Sequence, residues 1–392
     1  MRLVADSGLW RTGPSDMPLA APPPLAAVLE VSGAVLSWTV DDPPGDASAQ
    51  IAFTDLSRAD WLWRLLGESG HVALASSLGA VAPLAEPPHS IELTGVDIVP
   101  GSVDPLRRLA IGHWLRRWWP ASRQDGIAGL DRALLDVEVA LLTVDAQGFF
   151  TDDTLDSDVA GLLAPHATAL ITHVASADPR IVDLVRAGAG LADEVGMVDI
   201  GWSELLAALD DSGMILTAKL APPSGRRDDY ALAAGSDTGL GRKGGGPSIA
   251  RGVASINWSA VPPGIFDAGE NTVDWSVEVA STAPVAIVRA AIIGPDPATG
   301  VAVQLRSGAI NGTGVLDADG RATLPLADAR QRPMTESAAW DHDWAATLVV
   351  IGAQVTETRE TRERLRRWAL ARLDRPADDA FLAEILASES AY

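Results

Sequence analysis

The sequence predicts a multidomain α+β protein. We expect a mixed N-terminal region, a central all-α helical bundle and a C-terminal antiparallel β-sandwich of immunoglobulin-like type, followed by two terminal helices. Three observations lead to this prediction. A chain of 392 residues is long enough for two or three domains. Helix-start signals dominate residues 98–220, and apolar residues alternate in steps of two across residues 253–356.

These patterns divide the chain into five segments. A mixed α/β region covers residues 1–97, and the helical bundle covers residues 98–220. Residues 221–252 form a linker or mobile loop, because their apolar content falls while glycine and proline increase. The β-sandwich covers residues 253–356, and the terminal helices cover residues 357–392.

The composition limits the classes of function. The chain has no cysteine, which excludes disulfides, thiolate metal sites and cysteine nucleophiles. Its net charge of −22 repels phosphate, so binding to nucleic acid or to an anionic membrane is disfavoured. Only Lys219 and Lys243 of the 30 basic residues are lysine, a bias typical of a GC-rich bacterial genome.

The sequence also predicts a cytoplasmic location. The N-terminus lacks the basic and apolar layout of a signal peptide. The longest apolar runs are interrupted by charge and are too short to span a bilayer. We therefore expect no contact with a membrane.

The N-terminal region combines strands with a helix. In the segment AVLSWTV the residues Leu36, Trp38 and Val40 share one face of a predicted strand. The segment IAFTD is a second candidate strand. The segment SRADWLWRLLG predicts a helix that begins with a capping box at Ser57 and ends at Gly67.

Helices dominate the central region. Asp104 and Asp178 each precede a proline and are predicted to open a helix, because aspartate is a good N-cap and proline is tolerated at the first helical position. His166 and His173 lie two turns apart, about 10.5 Å along the axis and too far to share a metal, so they are interpreted as bundle residues. Further helices are predicted over residues 126–146, 166–176 and 202–211, and over a segment entered through residues 151–153.

The run AIGHWLRRWWP contains three tryptophans and two arginines. On a helical wheel its apolar residues fall in one arc about 180° wide, opposite Gly112, His113, Arg116 and Arg117. Aromatic stacking on nucleic acid, or an arginine–tryptophan membrane anchor, would need exposed aromatics beside the cations. Because the two sets are segregated, we interpret the run as an amphipathic helix whose tryptophans pack in the core.

The last predicted domain consists of strands. The segment TVDWSVEVA places Val273, Trp275, Val277 and Val279 on one face. The segment GTGVLDADGRATLPL predicts a hairpin in which Gly320 takes the positive-φ position. Before this region, GLGRKG matches a dinucleotide-binding pattern in form. It lacks the flanking strand and helix which that site needs, so no cofactor is predicted.

The string WDHDW, residues 340–344, is the most enzyme-like segment. Asp341, His342 and Asp343 are competent metal ligands. In an extended strand, however, His342 would face away from both carboxylates. The favoured interpretation is a strand entry whose tryptophans cap the β-core, and the alternative is a metal site.

Two helices are predicted at the C-terminus. In the first, Glu360 precedes Arg364 and Glu363 precedes Arg367 by four residues, which is the favourable orientation for ion pairs. After Pro376 a short amphipathic helix can dock on its own domain or in a groove of another protein. The candidate partner-binding residues are Phe381, Leu382, Ile385, Leu386 and Tyr392.

From these patterns we expect a non-catalytic cytoplasmic interaction protein, an adaptor or assembly component of a bacterial multiprotein system. Its expected partner is another protein or a second copy of itself. The alternative is a hydrolase or metal-dependent enzyme centred on residues 340–344. A third possibility is a nucleic-acid contact through arginine-rich helices, with the residues Arg107, Arg108, Arg116, Arg117 and the arginines of 359–367.

Overall fold

The computed structural model divides the chain into two compact units. It describes residues 1–6, 9–12, 23–43, 49–81, 88–150, 155–176, 178–197, 199–218, 248–280, 283–355 and 357–390. The first unit combines Met1–Pro120, Gly126–Leu209 and Thr358–Tyr392, and the second combines Ala121–Asp125 and Asp210–Glu357. Helices and antiparallel sheets occur together, which confirms the predicted α+β class.

Six strands of the first unit form one antiparallel sheet. They are β1 (Arg2–Asp6), β2 (Leu9–Thr12), β3 (Ala26–Val31), β4 (Ala34–Thr39), β5 (Gln50–Phe53) and β6 (Ser90–Glu92). Their order is β3-β4-β5-β2-β1-β6. The alternation that predicts β4 is confirmed, because Leu36, Trp38 and Val40 are all buried. Alternation does not identify β3, whose apolar Val28 lies on the opposite face from the buried Ala27 and Leu29.

A tight turn of Ser32 and Gly33 joins β3 to β4 and is held from several sides. Gly33 has a φ of +75°, and a Cβ there would lie 2.1 Å from the carbonyl oxygen of Asp55, so only glycine fits. The N–H groups of Thr54 and Asp55 donate to the Gly33 carbonyl at 3.0 and 2.9 Å. The Trp61 indole donates to the Ser32 carbonyl at 2.7 Å. The end of β3 is therefore fixed.

The helices of the central region occur where the sequence predicts them, with shifted ends. Asp178 caps its helix as predicted, since its carboxylate accepts the Arg180 N–H at 2.9 Å. A helix also begins at Asp104, with Pro105 in its first turn as predicted, but its N-cap is Val103 and not Asp104. Helix α1 (Leu62–Val81) belongs to the N-terminal region. The central helices are α2 (Asp104–Trp118), α3 (Arg132–Asp145), α4 (Leu155–Leu163), α5 (Ala167–Val174), α6 (Pro179–Glu194) and α7 (Ile200–Ala218).

Two other predicted helix starts also differ. Ser57 does not cap α1, because the Asp55 carboxylate accepts its N–H and closes a separate 3-10 turn at Leu56–Arg58. Gly67, with a φ of +71°, ends the first helical segment of α1 as predicted, and a second segment continues from there to Val81. The helix predicted from residue 126 begins only at Arg132, after the N-cap Asp131. Residues 151–153 lie outside the described residues.

Helix α2 is buried over most of its circumference. Trp114 is 3% exposed, its indole donates to the Pro24 carbonyl at 2.8 Å, and its ring packs edge-on against Trp368 at 5.1 Å. The packing interpretation of the tryptophan run is thus confirmed for Trp114. The predicted polar face is wrong at Gly112, because Val139 of α3 and the Phe381 ring occupy that side.

Seven strands of the second unit form another antiparallel sheet. They are β7 (Ala250–Ala254), β8 (Val273–Ala280), β9 (Ala283–Ala290), β10 (Ala302–Ser307), β11 (Ile310–Val315), β12 (Arg321–Ala327) and β13 (Leu348–Ile351). Their order is β13-β10-β11-β12-β9-β8-β7. The predicted hairpin is confirmed between β11 and β12, where Gly320 has a φ of +72°. A short helix, α8 (Glu336–Asp341), precedes β13.

The two edge strands of this sheet, β7 and β13, are followed by segments that bond to each other. The Ala353 N–H donates to the Ala260 carbonyl at 2.9 Å, and the Asn257 amide donates to the Val355 carbonyl at 3.0 Å. The sheet is nearly closed in this way. An immunoglobulin-like sandwich is not confirmed, because β7, β8 and β9 pair in chain order instead of by Greek-key connections.

Strand β7 begins at Ala250, inside the predicted linker of residues 221–252. Residues 221–247 of that linker lie outside the described residues. Among the helices that the structure describes, none is both long and apolar enough to cross a membrane.

The C-terminal helices, α9 (Arg359–Asp374) and α10 (Leu382–Ser390), belong to the first unit. Thr358 caps α9 by accepting the Thr361 N–H at 3.2 Å. On this helix Glu363 accepts a bond from Arg359 at 2.7 Å, and Arg364 pairs with Asp41 near the end of β4. The ion pair of Arg364 therefore fixes α9 to the segment that follows β4, in addition to the packing of its apolar face.

Gly112 is expected to be irreplaceable in α2. A Cβ at this position would lie 2.7 Å from Val139 and 2.8 Å from Phe381, so Gly112→Ala should cost about 1–3 kcal/mol of unfolding free energy. Gly190 of α6 is a matched control, because a Cβ there meets nothing within 4 Å. Gly190→Ala should stabilise by about 0.5–1 kcal/mol. Urea unfolding measures both, and equal effects would contradict the packing of Phe381 on α2.

Candidate ligand-binding cleft

A cleft of about 730 Å³ lies in the first unit between β3, α2 and α4. Its volume is within the range of ligand-binding sites. The β3–β4 turn forms one end, and α4 provides the opposite wall. The polar residues that line it are Glu30, Ser32, Thr54, Arg58, His113, Arg116, Thr143, Ser157 and Asp158.

A second, more apolar cavity of about 440 Å³ adjoins the first. Trp114 and Trp118 line it from α2, and Val35 and Ala52 line it from the sheet. Val28 and His113 line both cavities, so the two form one groove. Val28 is 49% exposed, which is unusual for an apolar strand residue beside a helix, and it marks the middle of the groove.

Arg116 is held in the cleft by a buried carboxylate. Its Nε donates to Asp136 Oδ1 at 2.6 Å, and Asp136 also accepts from Arg132 Nε at 2.9 Å. His166 Nε2 lies 2.9 Å from the same carboxylate. Burial alone would raise the pKa of Asp136, but the bonds to His166 and Arg116 outweigh it and hold that pKa below its usual range.

His113 lies one turn before Arg116 on the same side of α2. It is half-buried, and among the described residues its ring has no hydrogen-bond partner. Burial, with a further contribution from the Arg116 charge, lowers the pKa of His113 to about 4. The imidazole is therefore neutral at pH 7, and offers the cleft one donor and one acceptor.

The arginines proposed for nucleic-acid contact form internal bonds. Arg107 pairs with Asp379 at 2.9 Å, and Arg108 pairs with Glu138. Arg117 lies over the Trp118 ring at 4.1 Å. The ion pairs of Arg107 and Arg108 reduce the positive charge available to phosphate, which counts against a nucleic-acid surface on α2.

The terminal helix is docked on its own unit. The Phe381 side chain is fully buried against Gly112 and Val139, and the Arg108 guanidinium lies 5.2 Å from its ring. Leu382, Ile385 and Leu386 are half-buried on the outer side of α10. Tyr392 lies outside the described residues. Of the predicted partner-binding residues, Phe381 is therefore in the core.

Charged residues fix the start of α10. Arg372 donates to both oxygens of the fully buried Glu384 at 2.5 and 2.8 Å, and also pairs with Asp379 at 3.1 Å. The Leu382 N–H donates to Glu138 Oε2 at 2.9 Å. Burial raises the pKa of Glu138, and the nearby Glu384 charge raises it further.

The residues 340–344 do not form the predicted strand entry. Trp340 ends up half-exposed in α8, while Trp344 is buried in the β-core and its indole donates to the Ala339 carbonyl at 2.9 Å. The prediction holds for Trp344 and is wrong for Trp340. Asp341 and Asp343 are exposed. Within the described ranges no group of three or more potential ligand side chains could hold a metal.

His342 lies within hydrogen-bond distance of a serine. Its Nε2 lies 2.9 Å from Ser307 Oγ, a distance compatible with a nucleophile and its base. Ser307, however, is fully buried in β10. The other two histidines of interest, His166 and His173, bond separately to Asp136 and Asp131, as expected of helix-packing residues.

Sequence reasoning missed this cleft. It placed His113 and Arg116 on a solvent-facing side of α2, because helical periodicity does not show which neighbour covers a polar position. Comparison of the chain with known protein families, with curated proteins and with solved structures finds no match.

His113 should make stability depend on pH. Since its folded pKa, about 4, lies below the unfolded value of 6.5, the unfolded chain takes up a proton as pH falls between these values. Stability that His113 contributes above pH 6.5 is therefore lost as pH falls through this window. The free energies of unfolding of the wild type and His113→Gln, measured with urea, should converge or cross as the pH decreases. If the two free energies changed with pH in parallel, His113 would not be neutral in the folded state. The control is His89→Gln, a substitution of an exposed histidine.

Phe381 should be needed for folding of the first unit. Phe381→Ala is expected to cost about 3–5 kcal/mol, because it opens a cavity beside Gly112. The half-buried Leu386→Ala should cost less, about 1–2 kcal/mol. Chemical denaturation measures both, and a Phe381→Ala cost below about 1 kcal/mol would show that α10 does not dock as described.

Proposed function

We propose that this chain is a non-catalytic interaction protein, a cytoplasmic adaptor or assembly component of a bacterial multiprotein system, and that its partner binds in the groove along β3. The groove itself carries the proposal. Its two cavities together expose apolar Val28 and Trp118 beside polar Arg58 and His113. An apolar surface with a few polar groups is typical of a binding site.

The outer side of α10 is a second candidate surface. Leu382, Ile385 and Leu386 follow the i, i+3, i+4 spacing of a helix that docks in a groove. Glu384 and Phe381 already hold the inner side of α10 against the first unit, by a hydrogen bond and by packing. The outer residues Leu382, Ile385 and Leu386 would therefore bind a partner without any cost of ordering the helix. The partner there would be another protein or a second copy of this chain.

The hydrolase alternative has less support. It would use the Ser307–His342 pair, whose hydrogen bond has a suitable length. A substrate would have to reach a serine that is fully buried in the β-core. The nearby Asp343 is bonded to the Ala345 N–H at 2.9 Å, where it stabilises a turn.

We also infer that the second unit is a β-sandwich and that the first unit contains a helical bundle. Strands β11 and β12 are paired over only two residues on each side, at Asn311–Ala327 and Gly312–Leu326. Apolar side chains from both sides of this short ladder share one core. This supports two facing layers. In the first unit, contacts of α3 with α2, α4, α5 and α6 support a bundle.

Affinity capture with surface variants tests which groove is used. Full-length wild type, Val28→Asp and Leu386→Gln are each used as bait in a bacterial lysate, with melting temperatures recorded for all three. We expect Val28→Asp to lose the captured partner and Leu386→Gln to keep it, because only Val28 lines the groove. Loss with Leu386→Gln alone would assign binding to α10. No loss with either variant would overturn both surfaces.

A further inference from the structure

The guanidinium of Arg116 is fixed by one edge and open at the other. Its Nε is bonded to Asp136, and within the part of the chain that the structure describes its terminal nitrogens have no partner. The side chain is 23% exposed and lines the cleft. An arginine whose orientation is already set loses little entropy when it binds a planar anion.

Arg116 is not the only group that neutralises the Asp136 carboxylate. Arg132 and His166 bond to the second oxygen, Oδ2, so the buried carboxylate keeps one full cation without Arg116. The Arg116 charge is therefore available to a further anion. Removing a buried ion's only partner is costly, but here a partner would stay.

The other donors of the cleft lie near the same space. His113 is one helical turn away and has no partner among the described residues. Arg58 lines the cleft from the sheet side, is exposed, and forms no ion pair with any described residue. The carboxylates of Glu30 and Asp158 also line the cleft, but both are exposed, where solvent screens their repulsion.

We propose that Arg116 and His113 form an anion-binding subsite that takes a carboxylate or phosphate group of the bound partner. This inference rests on the proposed function, since it names the chemistry that the groove would recognise. The apolar cavity lined by Trp114 and Trp118 would hold the uncharged part of the same ligand. Arginine suits both anions because its paired N–H groups match two oxygens.

Titration with small anions tests the subsite in the full-length chain. Inorganic phosphate and acetate are added separately at constant ionic strength, and the side-chain resonances of isotopically labelled histidine are followed. We expect a saturable shift of the His113 signals. The anion that binds more tightly identifies phosphate or carboxylate as the preferred group.

Two variants distinguish the binding of an anion by Arg116 from its bond to the Asp136 carboxylate. Arg116→Gln should weaken anion binding at least tenfold. Arg132→Gln is the matched control, because Arg132 bonds to the same carboxylate but does not line the cleft, so its affinity should stay within twofold of wild type. Arg58→Gln, at an exposed position, should weaken binding severalfold and keeps the test valid if Arg116→Gln fails to fold.

Several outcomes would overturn the subsite. They are the absence of a saturable His113 shift, an equal shift with chloride, or equal losses in Arg116→Gln and Arg132→Gln. If Val28→Asp still abolishes partner capture in any of these cases, the groove binds its partner without an anion contact. The proposed function then stands and only this inference fails.

Discussion

The buried carboxylate of Asp136 joins three elements of the first unit. It lies on α3 and bonds to Arg116 of α2, to Arg132 of its own helix and to His166 at the start of α5. A charge in this position is costly unless hydrogen bonds replace its hydration. Because three donors do so, the helices are held in one relative arrangement, and the Arg116 side chain is fixed where it lines the cleft.

The C-terminal helix completes the core at a distance in sequence. The Phe381 ring fills the space that Gly112 leaves open, and Arg372 neutralises the buried Glu384. Asp379 connects this network to Arg107, which also donates to the Asp42 carbonyl at 3.0 Å. A short amphipathic helix at the end of a chain can thus serve its own fold, and its apolar spacing alone does not show that a partner covers it.

The first unit presents two surfaces of different physical character. The groove along β3 combines exposed apolar area with groups that can donate hydrogen bonds, and its neutral His113 adds a donor without adding charge. The outer strip of α10 is apolar and half-buried. A polar and apolar groove can select a partner by chemistry, whereas an apolar strip selects mainly by shape.

Local sequence determined the elements whose signals are local. Alternation predicted β4 and β8, Gly320 predicted the turn of the β11–β12 hairpin, Asp178 predicted its helix cap, and the spacing of Trp114 predicted its burial. Periodicity reports which residues share a face, because that depends on the backbone of one element.

Only the tertiary structure decided what covers each face. Gly112, His113 and Arg116 share a polar side of α2 in sequence, yet the first meets Phe381 and the other two line a cleft. Phe381 and Leu386 share one apolar edge, yet only the first is in the core. Such contacts join residues far apart in the chain, and no local pattern encodes them. The cleft therefore became visible only when β3, α2 and α4 were placed together.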